Sequence, residues 1–336
     1  MSEQTRPTLS GRQQWADADY AKAITPHREF GTHKWDVGGV VVIAGSPMYT
    51  GAAQLCTRAA GRAGAGIVHL AAPRNVISII ASAIPEVAHI PLPGVDSSNG
   101  VRQAIDTLSE HLERARAIVV GPGLGDDDGI SDFLSVMFGL RQGVRGIGNS
   151  MGFSTVTPIR DEQESDQAPL FALSDSTVVV DADGLNWLAK QPEWWTRIPP
   201  QRLILTPHPG ELARLLDRDV DDFIADPLST VEEAATRWNQ TVVFKYGFTA
   251  ASNGERTIVA EDAPVSLATA GSGDVLSGVI GAFAAQGLEP IDAAGLALHV
   301  GPRAARRGEQ RYGSYGLIAA DLPECVALEL ATLTDD

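Results

Sequence analysis

Along most of the 336-residue chain, short runs of β-branched and aliphatic residues alternate with longer segments that have helical periodicity. This alternation limits the possible folds, because strands that are buried on both faces and connected through helices form parallel sheets. We predict strands at 40–44, 66–72, 117–121, 177–182, 202–206 and 241–245. We expect helices to begin near Gly51, Pro73, Asn99, Asp128, Asp183 and Gly210, followed by three more from about Gly273, Pro290 and Tyr315. The sequence therefore predicts an α/β fold in which helices cover a central sheet.

Three segments depart from this alternation. Asn253-Gly254 is a strong hairpin signal, so residues 250–260 are expected to form two antiparallel strands. Residues 1–36 are polar apart from a few aromatic side chains and predict an N-terminal arm or helix on a single domain at 37–333. Residues 141–175 are rich in glycine, serine and acidic residues, which is typical of a long surface insertion.

The formal net charge of −16 argues against a nucleic-acid partner or an anionic membrane, because both attract basic surfaces. The two cysteines, Cys56 and Cys325, lie in apolar helical patterns far apart in the sequence, so we expect buried thiols and no disulfide. We see neither a signal peptide nor an apolar run of membrane-spanning length. These features favour a cytoplasmic location.

Glycine-rich loops follow two of the predicted strands. In a parallel α/β sheet, ligands bind beyond the carboxyl ends of the strands. The loops "AGSPMYTGAA" (44–53) and "GPGLGDDDG" (121–129) have small residues that allow a backbone to approach a ligand. Either loop alone is as often structural as functional.

Polar side chains follow two further strands. "DADGLNWL" (181–188) places Asp181, Asp183 and Asn186 at a strand end, where they fit helix capping as well as a ligand site. In "LTPHPGELARLL" (205–216), Glu211 fits ordinary chemistry of a helix start. His208 has no such structural need, which favours a ligand contact.

The stretch "ATAGSGDVLSG" (268–278) indicates an anion-binding site. Gly271, Ser272 and Gly273 allow a sharp turn that points backbone N–H groups at an anion, and the following helix adds its positive dipole end. Asp274 is then either a favourable dipole partner or a base that takes a proton from a hydroxyl during its phosphorylation. The sequence has no Walker A loop and no GxGxxG fingerprint.

The order of these segments, GSxxYTGAA, PEV, GPGLG, DADGLN, TPHPGE, KxGxT and GSGD, resembles the NAD(P)H-hydrate dehydratase family of the ribokinase-like superfamily, from about residue 35 to 330. The resemblance implies a ribokinase-like three-layer αβα sandwich with a mostly parallel central sheet. It also implies dehydration of hydrated NADH or NADPH, in the S epimer. ADP or ATP would be the co-substrate and Mg²⁺ would assist, with AMP (or ADP) and phosphate released.

The resemblance also implies roles for individual residues. Asp274 would be catalytic and would lie at the substrate hydroxyl, within a substrate site that also includes Ala52, Ala53, Gly123 and His208. The nucleotide would be bound by Lys245, Tyr246, Gly247, Phe248, Thr249 and Gly273. Asp181, Asn186 and Glu211 are candidate supporting residues, and the metal ligands stay unassigned.

The family pattern further implies a homo-oligomer, with a tetramer expected. The 36 residues before the match are too few for a fused epimerase domain, so we expect a separate NAD(P)H-hydrate epimerase to act alongside the chain. Tyr246 stands where the family commonly has glycine, and the insertion at 141–175 has no counterpart in the pattern. The preferences between ADP and ATP, and between the NADH and NADPH hydrates, stay open.

Two other functions fit the same residues. A vitamin-precursor kinase of the same superfamily, acting on hydroxyethylthiazole or a hydroxymethylpyrimidine, would use the same glycine-rich loop and acid. A non-catalytic nucleotide-binding protein is the second, although the presence of both Asp274 and Lys245 argues against it.

Overall fold

The computed structural model describes residues 8–140, 169–173, 175–247 and 249–334. Within them lies a ten-stranded sheet in the order β1-β10-β9-β8-β7-β6-β5-β2-β3-β4. The strands are β1 (Gln13–Trp15), β2 (Gly39–Ile43), β3 (Ile67–Pro73), β4 (Ala88–Leu92), β5 (Ala115–Val120), β6 (Thr177–Val180), β7 (Leu203–Leu205), β8 (Thr241–Phe244), β9 (Ala250–Ser252) and β10 (Thr257–Val259). All pairings are parallel except those of β9, which runs antiparallel to β8 and β10.

Helices cover both faces of this sheet. They are α1 (Ala18–Ile24), α2 (Lys34–Val37), α3 (Thr50–Arg62), α4 (Arg74–Ile80), α5 (Ser98–Leu112), α6 (Asp128–Met137), α7 (Asp183–Leu188), α8 (Pro209–Leu216), α9 (Pro227–Trp238), α10 (Ser272–Ala285), α11 (Pro290–Gly316) and α12 (Leu322–Thr334). Side chains that alternate along a strand enter opposite layers: Val40 and Val42 pack with α3, α10 and α11, whereas Val41 and Ile43 pack with α5 to α9. The predicted α/β architecture is confirmed.

The predicted strands and most predicted helix starts are confirmed. The hairpin at Asn253-Gly254 is also present: the Asn253 carboxamide oxygen accepts hydrogen bonds from the backbone N–H groups of Glu255 (3.0 Å) and Arg256 (2.8 Å). Gly254 has a positive φ of 89°, which a side chain would disfavour.

The start predicted for the last helix, at Tyr315, was wrong. Tyr315 lies at the end of α11, just after Gly313, whose φ of 75° and ψ of 166° interrupt the helix. The next helix, α12, begins at Leu322. Asp321 accepts a hydrogen bond from the N–H of Ile318 (3.1 Å) and fixes the turn between the two helices.

Strands β1 and β4 and helix α9 were not predicted. Strand β1 is only three residues long, and β4 is an edge strand that contains His89 and Pro91, so neither has a clear apolar run. Helix α9 does have readable start signals, since Asp226 caps it and Pro227 is its first residue.

The N-terminal residues contribute directly to the main body. Strand β1 extends the sheet beside β10, and the Tyr20 hydroxyl on α1 lies 2.9 Å from the Asp292 carboxylate on α11. The division into an arm at 1–36 and a domain at 37–333 stays a prediction. Most of the insertion at 141–175, namely 141–168 and residue 174, lies outside the described residues.

Both cysteines are free and buried, as predicted. Among the described residues, none of the helices combines the length and apolar character needed to cross a membrane.

Candidate active site

The predicted site segments converge at one edge of the sheet, where β2, β5, β6, β7 and β8 end. Parallel strands bring their carboxyl ends to the same edge, and each of these strands is followed by one of the polar or glycine-rich loops. Helix α10 points its N-terminus at the same place, because Gly271, with a φ of 91°, turns the chain into it. The edge therefore combines carboxylates, a buried cation and a helix N-terminus.

A buried ion pair joins two of the predicted residues. The Lys245 ammonium lies 2.8 Å from Asp181 Oδ1, and Asp181 is only 1% exposed. The Ser277 hydroxyl on α10 donates to Asp181 Oδ2 at 2.5 Å. Burial alone would raise the pKa of Asp181, but the charge of Lys245 and hydrogen bonds from Lys245, Ser277 and Thr206 outweigh it and lower that pKa. Asp181 is therefore a permanent anion at the centre of the site.

The same balance keeps Lys245 charged. Burial disfavours the ammonium, but Asp181 and Glu211 act against burial and raise the pKa of Lys245 above its ordinary value. The side chain of Lys245 retains 19% exposure, so the ammonium is accessible from the cleft.

Asp274 occupies the first turn of α10, as predicted. Its pKa is raised to about 6, first because the carboxylate is buried and then because the negative charge of Asp181 repels it, while Lys245 partly offsets both effects. A carboxylate with this pKa is ionised near neutral pH and is a stronger base than an ordinary aspartate. These are the properties expected of a general base.

The predicted anion hole is formed only in part. The N–H of Ser272 donates to the Thr269 carbonyl (3.3 Å), and the Ser272 hydroxyl donates to the Leu267 carbonyl (2.8 Å), so neither group points at a ligand. Both donors of Ser272 thus complete the turn in this structure, and its assignment to the anion hole stays a prediction. The N–H groups of Gly273 and Asp274 donate to no acceptor among the described residues.

Gly273 brings this helix N-terminus next to the cation. A Cβ placed on Gly273 would lie 3.2 Å from Lys245 Nζ and 3.8 Å from Asp181 Oδ2. The absence of a side chain thus opens a space bounded by the free backbone donors and the ammonium. Such a space suits a phosphate group.

The two glycine-rich loops touch each other at Gly123. A Cβ on Gly123, which has a φ of 64°, would lie 2.7 Å from Tyr49 Cβ and 2.9 Å from Ala52 Cβ. Only glycine fits this contact. Ala53 is fully buried, whereas Ala52 retains some exposure, so Ala52 is the alanine of the pair that a ligand can reach.

The segment at 181–183 ties these loops to the buried ion pair. Ala182 has a φ of 48° and a ψ of −116°, an unfavourable conformation for a residue with a Cβ. It separates Asp181, which faces Lys245, from Asp183, whose carboxylate accepts a hydrogen bond from the N–H of Gly125 (2.8 Å). The strained turn therefore gives two neighbouring carboxylates different partners.

His208 and Glu211 form a capping box at the start of α8. Glu211 accepts the N–H of His208 (2.9 Å), and His208 Nδ1 accepts the N–H of Gly210 (3.0 Å). Burial raises the pKa of Glu211 to about 7, and burial together with Lys245 and Arg214 lowers the pKa of His208. The His208 ring is still 52% exposed, so capping holds a neutral imidazole at the rim, with Nε2 3.5 Å from Glu211 Oε1.

Asn186 contacts a cation that was not predicted. Its carboxamide oxygen accepts a hydrogen bond from Arg214 Nε (2.9 Å), so Asn186 orients the exposed Arg214 beside His208. Ser277 and Thr206 were also missed. Ser277 follows Gly273 by four residues on α10, a spacing that places both on one helix face and gives a readable signal for it.

An apolar cavity of about 370 Å³ adjoins Lys245 and Gly273. Its walls include Tyr246, Gly247 and Thr249 from the predicted nucleotide segment, together with aliphatic side chains from α10, α11 and α12. Tyr246 is 45% exposed and stacks on Phe244, with ring centroids 6.1 Å apart. Phe248 lies outside the described residues.

The described part of the chain contains no group of three or more His, Cys, Asp or Glu side chains arranged to hold a metal ion. Mg²⁺ is commonly bound through one or two carboxylates together with substrate phosphates. Asp274 and Asp183 are the nearby carboxylates outside the Lys245 pair. The site therefore fits Mg²⁺ only in company with a nucleotide.

Comparison with known proteins agrees with this geometry. The family model for NAD(P)H-hydrate dehydratase matches residues 40–144 and 158–327. A bifunctional NAD(P)H-hydrate repair enzyme of Salinibacter ruber is 33% identical over 308 residues, which are 91% of this chain and 50% of that protein. The chain thus spans about half the length of this curated relative.

Two solved structures share the fold. An ADP/ATP-dependent NAD(P)H-hydrate dehydratase from Bacillus subtilis, co-crystallised with ATP and Mg²⁺, has a TM-score of 0.71 at 22% identity, covering 95% of this chain and 98% of that one. A ribokinase-like superfamily protein from Enterococcus faecalis has a TM-score of 0.76 at 17% identity, covering 98% and 100%. These likenesses confirm the ribokinase-like fold. Since the family model covers most of its length, the chain belongs to the NAD(P)H-hydrate dehydratase family.

Proposed function

We propose that this chain dehydrates the S epimer of hydrated NADH or NADPH at the expense of ADP or ATP, releasing AMP or ADP and phosphate. One observation carries the proposal: Asp274, the Lys245 ammonium and the free N–H groups of α10 meet between an apolar cavity and the two glycine-rich loops. The cavity fits a nucleotide base. The glycine-rich loops, which contain Ala52 and Gly123, fit a second, extended ligand together with His208.

In this proposal, phosphate leaves in place of hydroxide, which is a poor leaving group. Asp274 accepts the proton of the ring hydroxyl as the hydroxyl oxygen attacks the terminal phosphoryl group of the nucleotide. The bond between that phosphoryl group and the rest of the nucleotide breaks. The lone pair of the ring nitrogen then expels phosphate. Loss of a proton from the carbon next to the one that carried the phosphate restores the ring double bond. The chain's task in the first step is positioning and charge stabilisation.

The remaining residues have definite tasks in this scheme. Lys245 and the N–H groups of Gly273 and Asp274 neutralise the transferred phosphoryl group, and Tyr246, Gly247, Phe248 and Thr249 hold the rest of the nucleotide. Asp181 keeps Lys245 charged, and Glu211 and Asn186 fix His208 and Arg214 at the rim. When bound with the nucleotide, Mg²⁺ would supply further neutralisation of phosphate charge.

The experiment is a spectrophotometric assay with hydrated NADH and Mg²⁺, run with ADP, with ATP and with neither. We expect recovery of the near-ultraviolet absorbance of reduced nicotinamide, coupled to phosphate release, only with nucleotide. No recovery, together with phosphorylation of a hydroxyethylthiazole or hydroxymethylpyrimidine, would establish the vitamin-kinase alternative. Nucleotide binding without any turnover would establish the non-catalytic one.

We further propose a cytoplasmic homo-oligomer, expected to be a tetramer, that acts together with an NAD(P)H-hydrate epimerase activity. The support is the family to which the chain belongs and the free, buried state of both cysteines. Light scattering after gel filtration measures the oligomeric state. With a mixture of R and S hydrates, the chain alone should convert only the S epimer to the reduced dinucleotide. Addition of an epimerase should make the conversion complete.

A further inference from the structure

A second cavity, of about 490 Å³, lies outside the candidate active site. It is bordered by the middle of α11, by Glu261 and Asp262 after β10, by Ala16 and by Glu329 of α12. None of the residues assigned to catalysis or to substrate and nucleotide binding lines it. It shares Asp262, Leu298 and Pro302 with the wall of the cavity beside Lys245, so the two cavities adjoin across these residues.

His299 presents a hydrogen-bond acceptor to this cavity. The residue is only 3% exposed, and its Nδ1 lies 2.7 Å from the Ala16 carbonyl, an acceptor that requires the proton to be on Nδ1. Burial lowers the pKa of His299, which keeps the ring neutral and leaves a lone pair on Nε2. No described residue donates to Nε2. Pro302, which has no N–H, also deprives the Leu298 carbonyl of its usual helical donor.

Arg303 lies one helical turn beyond His299 on the same face of α11. Its guanidinium is 4.0 Å from both Glu261 and Glu329, beyond hydrogen-bond distance, and no described residue accepts from it at shorter range. The neighbouring arginines differ, since Arg306 makes two short contacts to Asp262 (2.6 and 2.8 Å) and Arg307 contacts Glu329 (3.1 Å). Among the described arginines of the cavity, Arg303 thus has only these two longer ion-pair contacts, which leave its N–H groups able to donate to a new partner.

We propose that this cavity binds a small hydroxycarboxylate monoanion, with the carboxylate on Arg303 and the hydroxyl donating to His299 Nε2. The planar guanidinium matches a carboxylate through two parallel hydrogen bonds. The hydroxyl satisfies the acceptor on His299. Among the described residues, three arginines and three acids line the cavity, so a single negative charge is tolerated better than the double charge of a phosphate monoester.

The test is calorimetric titration of the purified chain with D-glycerate, with propionate, which lacks the hydroxyl, and with glycerol 3-phosphate. We expect saturable binding of glycerate and about tenfold weaker binding of propionate. Arg303→Ala should weaken glycerate binding by tenfold or more, the loss of a charge-assisted contact. Arg311→Ala, on the same helix but outside the cavity, is the matched control and should bind normally.

The same titration on the double variant Asp181→Asn with Lys245→Met, which removes both charges of the buried pair, separates this cavity from the active site, and we expect its glycerate affinity to be unchanged. No saturable binding to the wild-type chain, or equal binding to Arg303→Ala, overturns the proposal. Loss of glycerate binding in the folded double variant would place the ligand in the active site and overturn the proposal as well. Tighter binding of glycerol 3-phosphate than of glycerate would overturn the assignment to a monoanion.

Discussion

Lys245 Nζ lies 2.8 Å from Asp181 Oδ1, and this pair is held beside the first turn of α10. The Lys245 ammonium is paired with Asp181 before any nucleotide binds, so a bound phosphate must share the ammonium with Asp181. The arrangement keeps the ammonium charged and fixed in position, and both effects lower the cost of organising the site around a phosphoryl group. It also makes Lys245 structural, which affects how its variants behave.

Lys245→Met should therefore destabilise the fold as well as weaken nucleotide binding. It leaves the buried Asp181 without its cation, which typically costs about 3 to 5 kcal/mol in a buried pair. The double variant Asp181→Asn with Lys245→Met should recover most of that stability but not the affinity for ADP, which we expect to fall by about 1.5 to 3 kcal/mol. Urea unfolding and calorimetry with ADP measure the two effects. Normal ADP affinity in the stable double variant would place the phosphates elsewhere.

Asp274→Asn should lower kcat by about 10² to 10⁴, because the amide keeps the shape of the side chain but accepts no proton. Its affinity for ADP should change little. A folded variant with near-native turnover would exclude Asp274 as the base and direct attention to Asp183.

The same variant should be more stable than the wild type near neutral pH. The pKa of Asp274 is raised to about 6 in the folded chain, so its ionisation there is disfavoured and stability falls as pH rises from about 4 to 6. Asparagine removes this penalty, which we expect to be about 1 to 3 kcal/mol above pH 6. Melting curves at pH 4 and pH 8 test this, since the gain should be absent at the lower pH.

The pH profile of kcat/KM should show an acidic limb with an apparent pKa of about 6. The base is ionised above that value and protonated below it, so the rate rises with pH through this range. The residual activity of Asp274→Asn should lack this limb. Its persistence in the variant would assign the titration to another group.

Gly273→Ala should raise the Kd for ADP by about tenfold, equivalent to loss of one contact worth about 1.4 kcal/mol. The new methyl group would enter the space 3.2 Å from the Lys245 ammonium, where a phosphate approaches the backbone. Gly61→Ala is the matched control, because that glycine lies in α3 and a methyl group there would meet no neighbouring atom within 4 Å. The control should bind ADP normally and melt slightly higher.

Much of the architecture was predictable because buried parallel strands are continuous apolar runs. "VVVIA", "AIVVG" and "TVVVDA" all lie in the sheet near their predicted bounds. Strand β1 was not predicted, because its three residues form a strand only through their pairing with β10. That pairing joins residues more than 240 positions apart, and no local pattern reports it.

The site was predictable in its residues and less so in their partners. Asp181, Lys245 and Asp274 were each identified, but a sequence does not show that Lys245 is paired with Asp181 or that Asp181 raises the pKa of Asp274. Ser272 illustrates the limit most clearly. Its position in a glycine-rich turn suggested a ligand donor, whereas the turn itself uses both of its donors.

The rings of Phe138 and Phe171 meet edge to face with centroids 5.6 Å apart, and both are fully buried. Described residues on the two sides of 141–168 thus pack against each other in the core, and β5 and β6, which precede and follow that interval in the sequence, pair directly. The molecule is therefore suited to division within that interval into two fragments that are expressed separately. The two fragments would reassemble through the apolar faces that they share. Restored catalytic activity would then measure their association.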